Sequence, residues 1–188
     1  MLLGELVLHA PHVRRLRREF DRLVLQEHLV DRFARFARAS KAPAPDSSLA
    51  QSLTARRGSD LFDKIGCAVC HVRSMTTAPA GTKINGGAYT VPAALGNKVF
   101  HPYGDFLLHD VGTGDGIIQA GPADTANKLR TVPLWGLHIK SRFMHDNGST
   151  TLNNAIQRHG GEAQGVIEAF KFLSTSQQQQ LITFLKSL

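Results

Sequence analysis

The sequence has little of several residue types, and each shortage excludes a class of structure. Its 188 residues include only two cysteines, so a four-cysteine zinc or iron–sulfur site cannot form within this chain alone. No apolar run approaches the roughly 20 residues that a membrane-spanning helix needs. Acidic residues are outnumbered, giving a net charge of +7. This charge favours acidic partners, but no nucleic-acid-binding motif accompanies it.

The two cysteines lie in Cys67-Ala-Val-Cys70-His71, a C-x-x-C-H motif that is typical of c-type haem attachment. Two thiols at this spacing can each bond a vinyl group of one porphyrin, and the adjacent imidazole can bind the iron as the proximal ligand. The alternatives are a bare disulfide, a chance match, or a thioredoxin-like pair, which expects a βαβ context that is not visible here. We predict one covalently bound haem c.

A covalent haem indicates a periplasmic or otherwise extracytoplasmic location, because haem c is normally attached outside the cytoplasm. The first ten residues make a poor export signal: they have no basic n-region, Glu5 interrupts the apolar stretch, and no small-residue cleavage site follows. We expect that a signal was removed, or that the start is truncated or misassigned.

The hydrophobic pattern predicts helices over residues 12–39, 47–65, 150–158, 162–172 and 174–188. The first carries many arginines, which suit either a docking helix or, as we favour, a solvated face. A proline-rich linker at 41–46 ends it, which predicts domains at 1–45 and 46–188. Ser149 or Thr150 can cap the third helix, and Ser174 with Gln177 predicts a capping box on the last.

The segment 74–104 is rich in glycine and proline and predicts a long irregular loop. Asn85-Gly86 could close a small hairpin between Lys83-Ile84 and residues 89–91. Together with the helices, this pattern predicts an all-α, cytochrome c-like haem domain with long irregular loops and an additional N-terminal helix. The glycines at 112, 114 and 116 do not continue into a phosphate-binding motif, and the aspartates near them lack the spacing of a calcium loop.

Four further residues are candidates for packing around the porphyrin. Pro133 and Trp135 could lie beside the ring, and Arg130 and Arg142 could donate charge-assisted hydrogen bonds to the propionates. For both arginines, simple exposure to solvent is the alternative.

The residue on the other face of the iron determines much of the chemistry. Methionine raises the reduction potential, a second histidine lowers it, and an open site allows small ligands to bind. His159 is attractive because it ends a short helix beside two glycines, where the chain can turn an imidazole inward. Met75 follows His71 too closely to reach round the ring. The other candidates are Met144, His101, His109, His138 and His145.

Several segments resemble one known family: GSDLFDKIGCAVCHV at 58–72, YGDFLLHDVG at 103–112, RTVPLWGL at 130–137, FMHDNGSTTLNNAIQRHGGEA at 143–163 and the closing 172–188. Together they resemble the C-terminal haem domain of bacterial di-haem oxidoreductases, a group related to di-haem cytochrome c peroxidases. In those peroxidases a distal methionine occupies the position of His159. The resemblance therefore implies His71 and His159 as axial ligands, with Met144 as the alternative, and a structural or hydrogen-bonding role for His145.

The chain departs from that family because it carries one C-x-x-C-H motif where its relatives carry two. The peroxide-reacting haem belongs to the half that is missing. The leading hypothesis is a single-haem electron carrier that meets an acidic redox partner protein. The alternative is a peroxidase or another haem oxidoreductase, or a fragment of one, using His145 or Glu162 as an acid–base group.

Overall fold

The computed structural model describes Arg15 and residues 29–119 and 121–188. Contacts divide the chain into one unit at Met1–Ala42 and another at Pro43–Leu188. In the first unit, residues 29–39 are helical. The predicted helix at 12–39 is thus described at Arg15 and from residue 29 onward, and its remainder and the first ten residues lie outside the described part.

The second unit is mostly helical, with small strands between the helices. Its helices are α1 (Ser47–Ala50), α2 (Leu53–Lys64), α3 (Leu152–Gln157), α4 (Gln164–Phe172) and α5 (Thr175–Lys186). Short 3-10 turns lie at Cys67–Val69, Asn85–Gly87, Ala123–Thr125, Leu137–Ile139 and Gly161–Ala163.

Among the described residues of this unit, six two-residue strands form three antiparallel pairs. They are β1 (Met75–Thr76) with β4 (Val99–Phe100), β2 (Lys83–Ile84) with β3 (Tyr89–Thr90), and β5 (Leu108–His109) with β6 (Leu129–Arg130). The β2–β3 pair confirms the hairpin predicted around Asn85-Gly86. The other two pairs were not predicted, because they join segments that are far apart in sequence. Their presence departs from the expected all-α class.

The helix ends show where local sequence rules succeed and fail. Ser174 and Gln177 form the predicted capping box on α5. The helix predicted over 47–65 is instead two helices, since Ser52 is extended and its hydroxyl accepts the Ala55 N–H at 3.1 Å to begin α2. Helix α3 is capped by Thr151, not by Ser149 or Thr150 as predicted. Ser149 is fully buried and instead accepts a hydrogen bond from Arg158.

The core of the second unit forms where α2 crosses α5. Phe62 on α2, Phe170 on α4 and Leu181 on α5 are almost completely buried. Gly58 allows the close approach, because a Cβ there would collide with the carbonyl oxygen of Gln180. This core holds the C-terminal end of α2, which leads directly into the C-x-x-C-H motif.

Candidate haem-binding site

The C-x-x-C-H motif begins with a tight turn at the end of α2. Gly66 has φ +97°, a left-handed conformation that favours glycine, and Cys67–Val69 then form a 3-10 turn. Both cysteines are free thiols. Burial raises the pKa of Cys67 to about 12, and burial followed by the charges of Asp105 and Glu162 raises the pKa of Cys70. Both side chains are therefore neutral thiols at physiological pH.

His71 is oriented by a carbonyl from a distant part of the chain. Its Nδ1 lies 3.0 Å from the carbonyl oxygen of Tyr103. A carbonyl only accepts hydrogen bonds, so Nδ1 carries the proton and Nε2 keeps its lone pair. Burial lowers the pKa of His71, although the Tyr103 carbonyl opposes this effect. The neutral imidazole with a free Nε2 is the form that binds a metal.

Aromatic side chains and one arginine hold the segments on either side of His71. The ring of Phe62 lies 6.4 Å from that of His71 and 6.0 Å from that of Tyr103. The guanidinium of Arg73 lies 5.2 Å from the centre of the Phe62 ring and donates to Asp63 through Nε at 2.8 Å. The proximal side is thus tied directly to the hydrophobic core.

His159 lies at the C-terminal end of α3 and faces His71. Its Nδ1 donates to the carbonyl oxygen of Ala155 at 2.8 Å, which leaves Nε2 free as in His71. The two ring centres are 6.5 Å apart and the ring planes are inclined by 63°. Two imidazoles that each bind one metal through Nε2 at about 2 Å have ring centres about 6 Å apart. The separation of the two ring centres therefore agrees with the distance expected for two imidazoles on one iron.

Two ionic contacts flank His159 in the sequence. On one side, Arg158 donates to both carboxylate oxygens of Asp146, at 2.6 and 3.1 Å, and its guanidinium lowers the pKa of Asp146. On the other side, the carboxylate of Glu162 lies 2.8 Å from Nδ1 of His109. The histidine is thus carried by a short stretch of chain that is anchored at both ends.

Asp105 contacts the other ring nitrogen of His109, since its Oδ2 lies 2.8 Å from Nε2. Sequence reasoning considered His109 only as an iron ligand and Glu162 only as an acid–base group, and it did not consider Asp105. The four-residue spacing of Asp105 and His109 was the available signal, but the segment is not helical, so helical neighbour rules did not apply.

The other predicted site residues lie in loops and in β6. Trp135 is half-buried and donates from Nε1 to the carbonyl oxygen of His101 at 2.6 Å, and Pro133 is also half-buried. Arg130, in β6, and Arg142 are exposed, and neither forms an ion pair with any residue that the structure describes.

Met144 and His145 share the loop at 143–149 with Asp146. Met144 is half-buried and has φ +65°. His145 donates from Nε2 to the carbonyl oxygen of Thr113 at 3.1 Å, and its Nδ1 lies 3.9 Å from Asp115. These contacts connect the 143–149 loop to the glycine-rich segment at 112–116.

A family model described as "Di-haem oxidoreductase, putative peroxidase" matches residues 27–188. The chain belongs to the di-haem oxidoreductase family. Membership points to haem binding and to haem-based redox chemistry, as the resemblance implies. None of the curated proteins compared with the chain matches it.

A solved structure of hydrazine synthase from Kuenenia stuttgartiensis, pressurised with xenon, is similar to the chain at 19% sequence identity and a TM-score of 0.49. The match covers 79% of this chain and 50% of that chain, so this family member spans about half the length of the structure that it matches. Within the described residues, no helix is long and apolar enough to cross a membrane.

Proposed function

We propose that this member of the di-haem oxidoreductase family is a single-haem c-type electron carrier with a cytochrome c-like haem domain. Cys67 and Cys70 would attach the haem, and His71 and His159 would bind its iron on opposite faces. When bound, the haem iron supplies one-electron oxidation and reduction. The haem domain would comprise residues 46–188, following an N-terminal segment at 1–45.

The facing imidazoles of His71 and His159 carry this proposal. Both rings have Nδ1 tied to a backbone carbonyl, and their centres lie 6.5 Å apart. A pair of imidazoles whose Nδ1 atoms are held in this way suits an iron that keeps the same two ligands in both oxidation states. Little rearrangement would then accompany electron transfer, which distinguishes a carrier from a site that binds and transforms a substrate.

The surrounding residues would serve the same purpose. Pro133 and Trp135 would pack beside the porphyrin, and the exposed Arg130 and Arg142 would meet the propionates. The net charge of +7 would attract an acidic redox partner protein. Attachment of haem c would require maturation in the periplasm or another extracytoplasmic compartment.

Intact mass and a pyridine haemochrome assay test the attachment. The matured chain is expected to carry one haem, held through both cysteines, and Cys67→Ala together with Cys70→Ala should abolish covalent binding. A matured chain that is colourless, or that releases its haem into acidified organic solvent, would overturn the proposal.

Absorption spectra of single-histidine variants test the iron ligands. The wild-type protein is expected to be low-spin in both oxidation states. His159→Ala should convert the ferric form to high-spin, whereas His138→Ala, at an exposed histidine in the same domain, should leave it low-spin. An unchanged spectrum in His159→Ala would remove His159 as a ligand and make Met144 the next residue to replace.

A peroxidase is the second candidate, and the carboxylates and imidazole of Asp105, His109 and Glu162 favour it because such groups can transfer protons. The family is di-haem, so this activity could also need a second haem-bearing segment. Consumption of hydrogen peroxide by the matured chain with a reduced electron donor would support this candidate, and its absence would favour the carrier.

A further inference from the structure

His109 lies between two carboxylates, and each of its ring nitrogens contacts one of them. Nε2 is 2.8 Å from Oδ2 of Asp105, and Nδ1 is 2.8 Å from Oε2 of Glu162. The imidazole is largely buried, with 18% of its side chain exposed, and Asp105 is buried further at 12%. Ionised carboxylates only accept hydrogen bonds, so this arrangement stabilises a doubly protonated, positively charged His109.

The Asp105–His109–Glu162 network joins the proximal side of the site to the distal side. Asp105 donates its backbone N–H to the carbonyl oxygen of Cys70 at 2.9 Å, next to His71. Glu162 is at the opposite end and follows His159 by three residues. The network therefore spans from the haem-attachment motif to the turn that carries the distal histidine.

The turn at residues 159–162 is hydrogen-bonded to the segment around His109. Gly160 donates its backbone N–H to the carbonyl oxygen of Val111 at 2.7 Å, and Glu162 donates to that of Asp110 at 2.8 Å. In return, the Asp110 N–H donates to Oε1 of Glu162 at 3.0 Å. The carboxylate of Glu162 thus binds both this backbone and His109, so the charge of His109 influences where the turn lies.

The groups around His109 favour its positive charge. The side chains of Glu162 and then Asp105 raise its pKa, while His109 in turn lowers the pKa of Glu162. The other titratable or charged groups near the network are Cys70, His71, Asp110, Lys128 and Arg130. The ammonium group of Lys128 is paired with Asp124 at 3.2 Å. This pairing weakens the repulsion between Lys128 and a positively charged His109.

Cys70, Asp105 and His109 are also close enough to hold a metal ion. That arrangement is the weaker interpretation, because both nitrogens of His109 already contact carboxylates and the proposed thioether would occupy Cys70. A role of His109 in holding the 159–162 turn is the better interpretation, because it accounts for every contact in the Asp105–His109–Glu162 network.

We propose that His109, as a cation between Asp105 and Glu162, is a positioning residue that fixes the 159–162 turn and so keeps the imidazole of His159 on the iron. This inference rests on the proposed function, because it takes His159 as the distal ligand. When His109 loses its proton, the turn loosens and His159 leaves the iron more often. External ligands then bind more readily as the pH rises.

Carbon monoxide binding to the ferrous, haem-loaded full chain tests this proposal, because carbon monoxide does not titrate and must displace His159. The association rate of the wild-type protein is expected to rise about tenfold from pH 6 to pH 9.5, within the range typical of groups that orient metal ligands. His109→Gln should bind fast at every pH, and His109→Arg, which keeps the charge, should stay slow at pH 9.5. His138→Gln is the matched control and should behave as the wild type does.

Three outcomes would overturn the proposed role of His109. The proposal would be overturned if the carbon monoxide association rate of His109→Gln depended on pH just as that of the wild type does. It would also be overturned if His109→Gln lost peroxide consumption while its carbon monoxide association rate stayed unchanged. If His109→Gln fails to mature, Glu162→Gln is tested in its place. This variant removes the negative charge that Glu162 presents to His109 and keeps an oxygen that can accept the Asp110 N–H. In a His159→Ala background, His109→Gln should have no further effect on the rate; a further tenfold increase there would also contradict the proposal.

The His159→Ala spectrum separates the two levels of inference. If His159→Ala stays low-spin, the ligand assignment itself fails. If it becomes high-spin while His109→Gln behaves as the wild type, only the role of His109 fails.

Discussion

The two proposed iron ligands, the proximal His71 and the distal His159, are held in the same way at Nδ1 but by very different surroundings. His71 donates to Tyr103, 32 residues away, whereas His159 donates to Ala155, four residues earlier in the helix that precedes it. Phe62, which is 1% exposed, packs against the proximal ring. The distal segment is held instead by ionic contacts that include partly exposed side chains, such as Glu162 at 49%. The core therefore fixes one of the two proposed ligands, and solvent-sensitive contacts hold the other.

The largest effect is expected from removing core packing on the proximal side. Phe62→Ala should lower the free energy of unfolding by about 3–5 kcal/mol, because it leaves a cavity among fully buried residues. Phe172→Ala is the matched control, since Phe172 is 91% exposed, and it should change stability by no more than about 0.5 kcal/mol. Urea unfolding followed by circular dichroism measures the stability of both variants. Equal losses in Phe62→Ala and Phe172→Ala would contradict the view that the hydrophobic core holds the segment around His71.

A smaller loss is expected where α2 meets α5. Gly58→Ala should cost about 2–3 kcal/mol, because its Cβ meets the Gln180 backbone and the helices must separate. Gly165→Ala, in α4, has nothing within 4 Å of the added Cβ and should stabilise the protein by roughly 0.5–1 kcal/mol. The same unfolding experiment compares them, and a neutral Gly58→Ala would show that the helices do not need this contact.

The caps of the helices that lead to the two histidines compare the sides directly. Ser52→Ala and Thr151→Ala should each cost about 1 kcal/mol, since each removes an oxygen that accepts a backbone N–H at 3.1 Å. Only Thr151→Ala, on the distal helix α3, is expected to speed carbon monoxide binding as well. If Ser52→Ala speeds it equally, the proximal side is no firmer than the distal side.

The smallest effect is the dependence of stability on pH through His109. Its folded pKa is raised by Glu162 and then Asp105, so its contribution is complete below the unfolded value of about 6.5 and is lost as pH rises through the folded pKa. The stability difference between the wild type and His109→Gln should therefore shrink from pH 6 to pH 9. A stability difference that grows with pH would contradict the sign expected for a raised pKa of His109.

Sequence reasoning succeeded where structure depends on neighbouring residues. The β2–β3 hairpin follows from Asn85-Gly86, and the α5 cap follows from Ser174 and Gln177, because each is a local contact. The break between α1 and α2 was missed, since Ser52 also fits the interior of a helix and only its extended backbone reveals the cap.

The contacts that shape the site could not be predicted, because they join segments that are distant in the chain. Nothing local indicates that the Tyr103 carbonyl meets His71, or that Asp105 and Glu162 converge on His109. His159 was predicted as the distal ligand from its glycine-rich surroundings and from the family resemblance. Its ring centre lies 6.5 Å from that of His71, and its binding to iron stays a prediction.

The half-buried thiol of Cys67 has a consequence for how haem c would be attached. Thiolates, not thiols, attack disulfides and alkylating agents, and the pKa of Cys67 is raised to about 12. Once folded without its prosthetic group, the chain should be slow to close a Cys67–Cys70 bridge and slow to react with iodoacetamide at Cys67. If haem c is attached as proposed, its attachment at Cys67 should be faster before the chain folds around this thiol than afterwards.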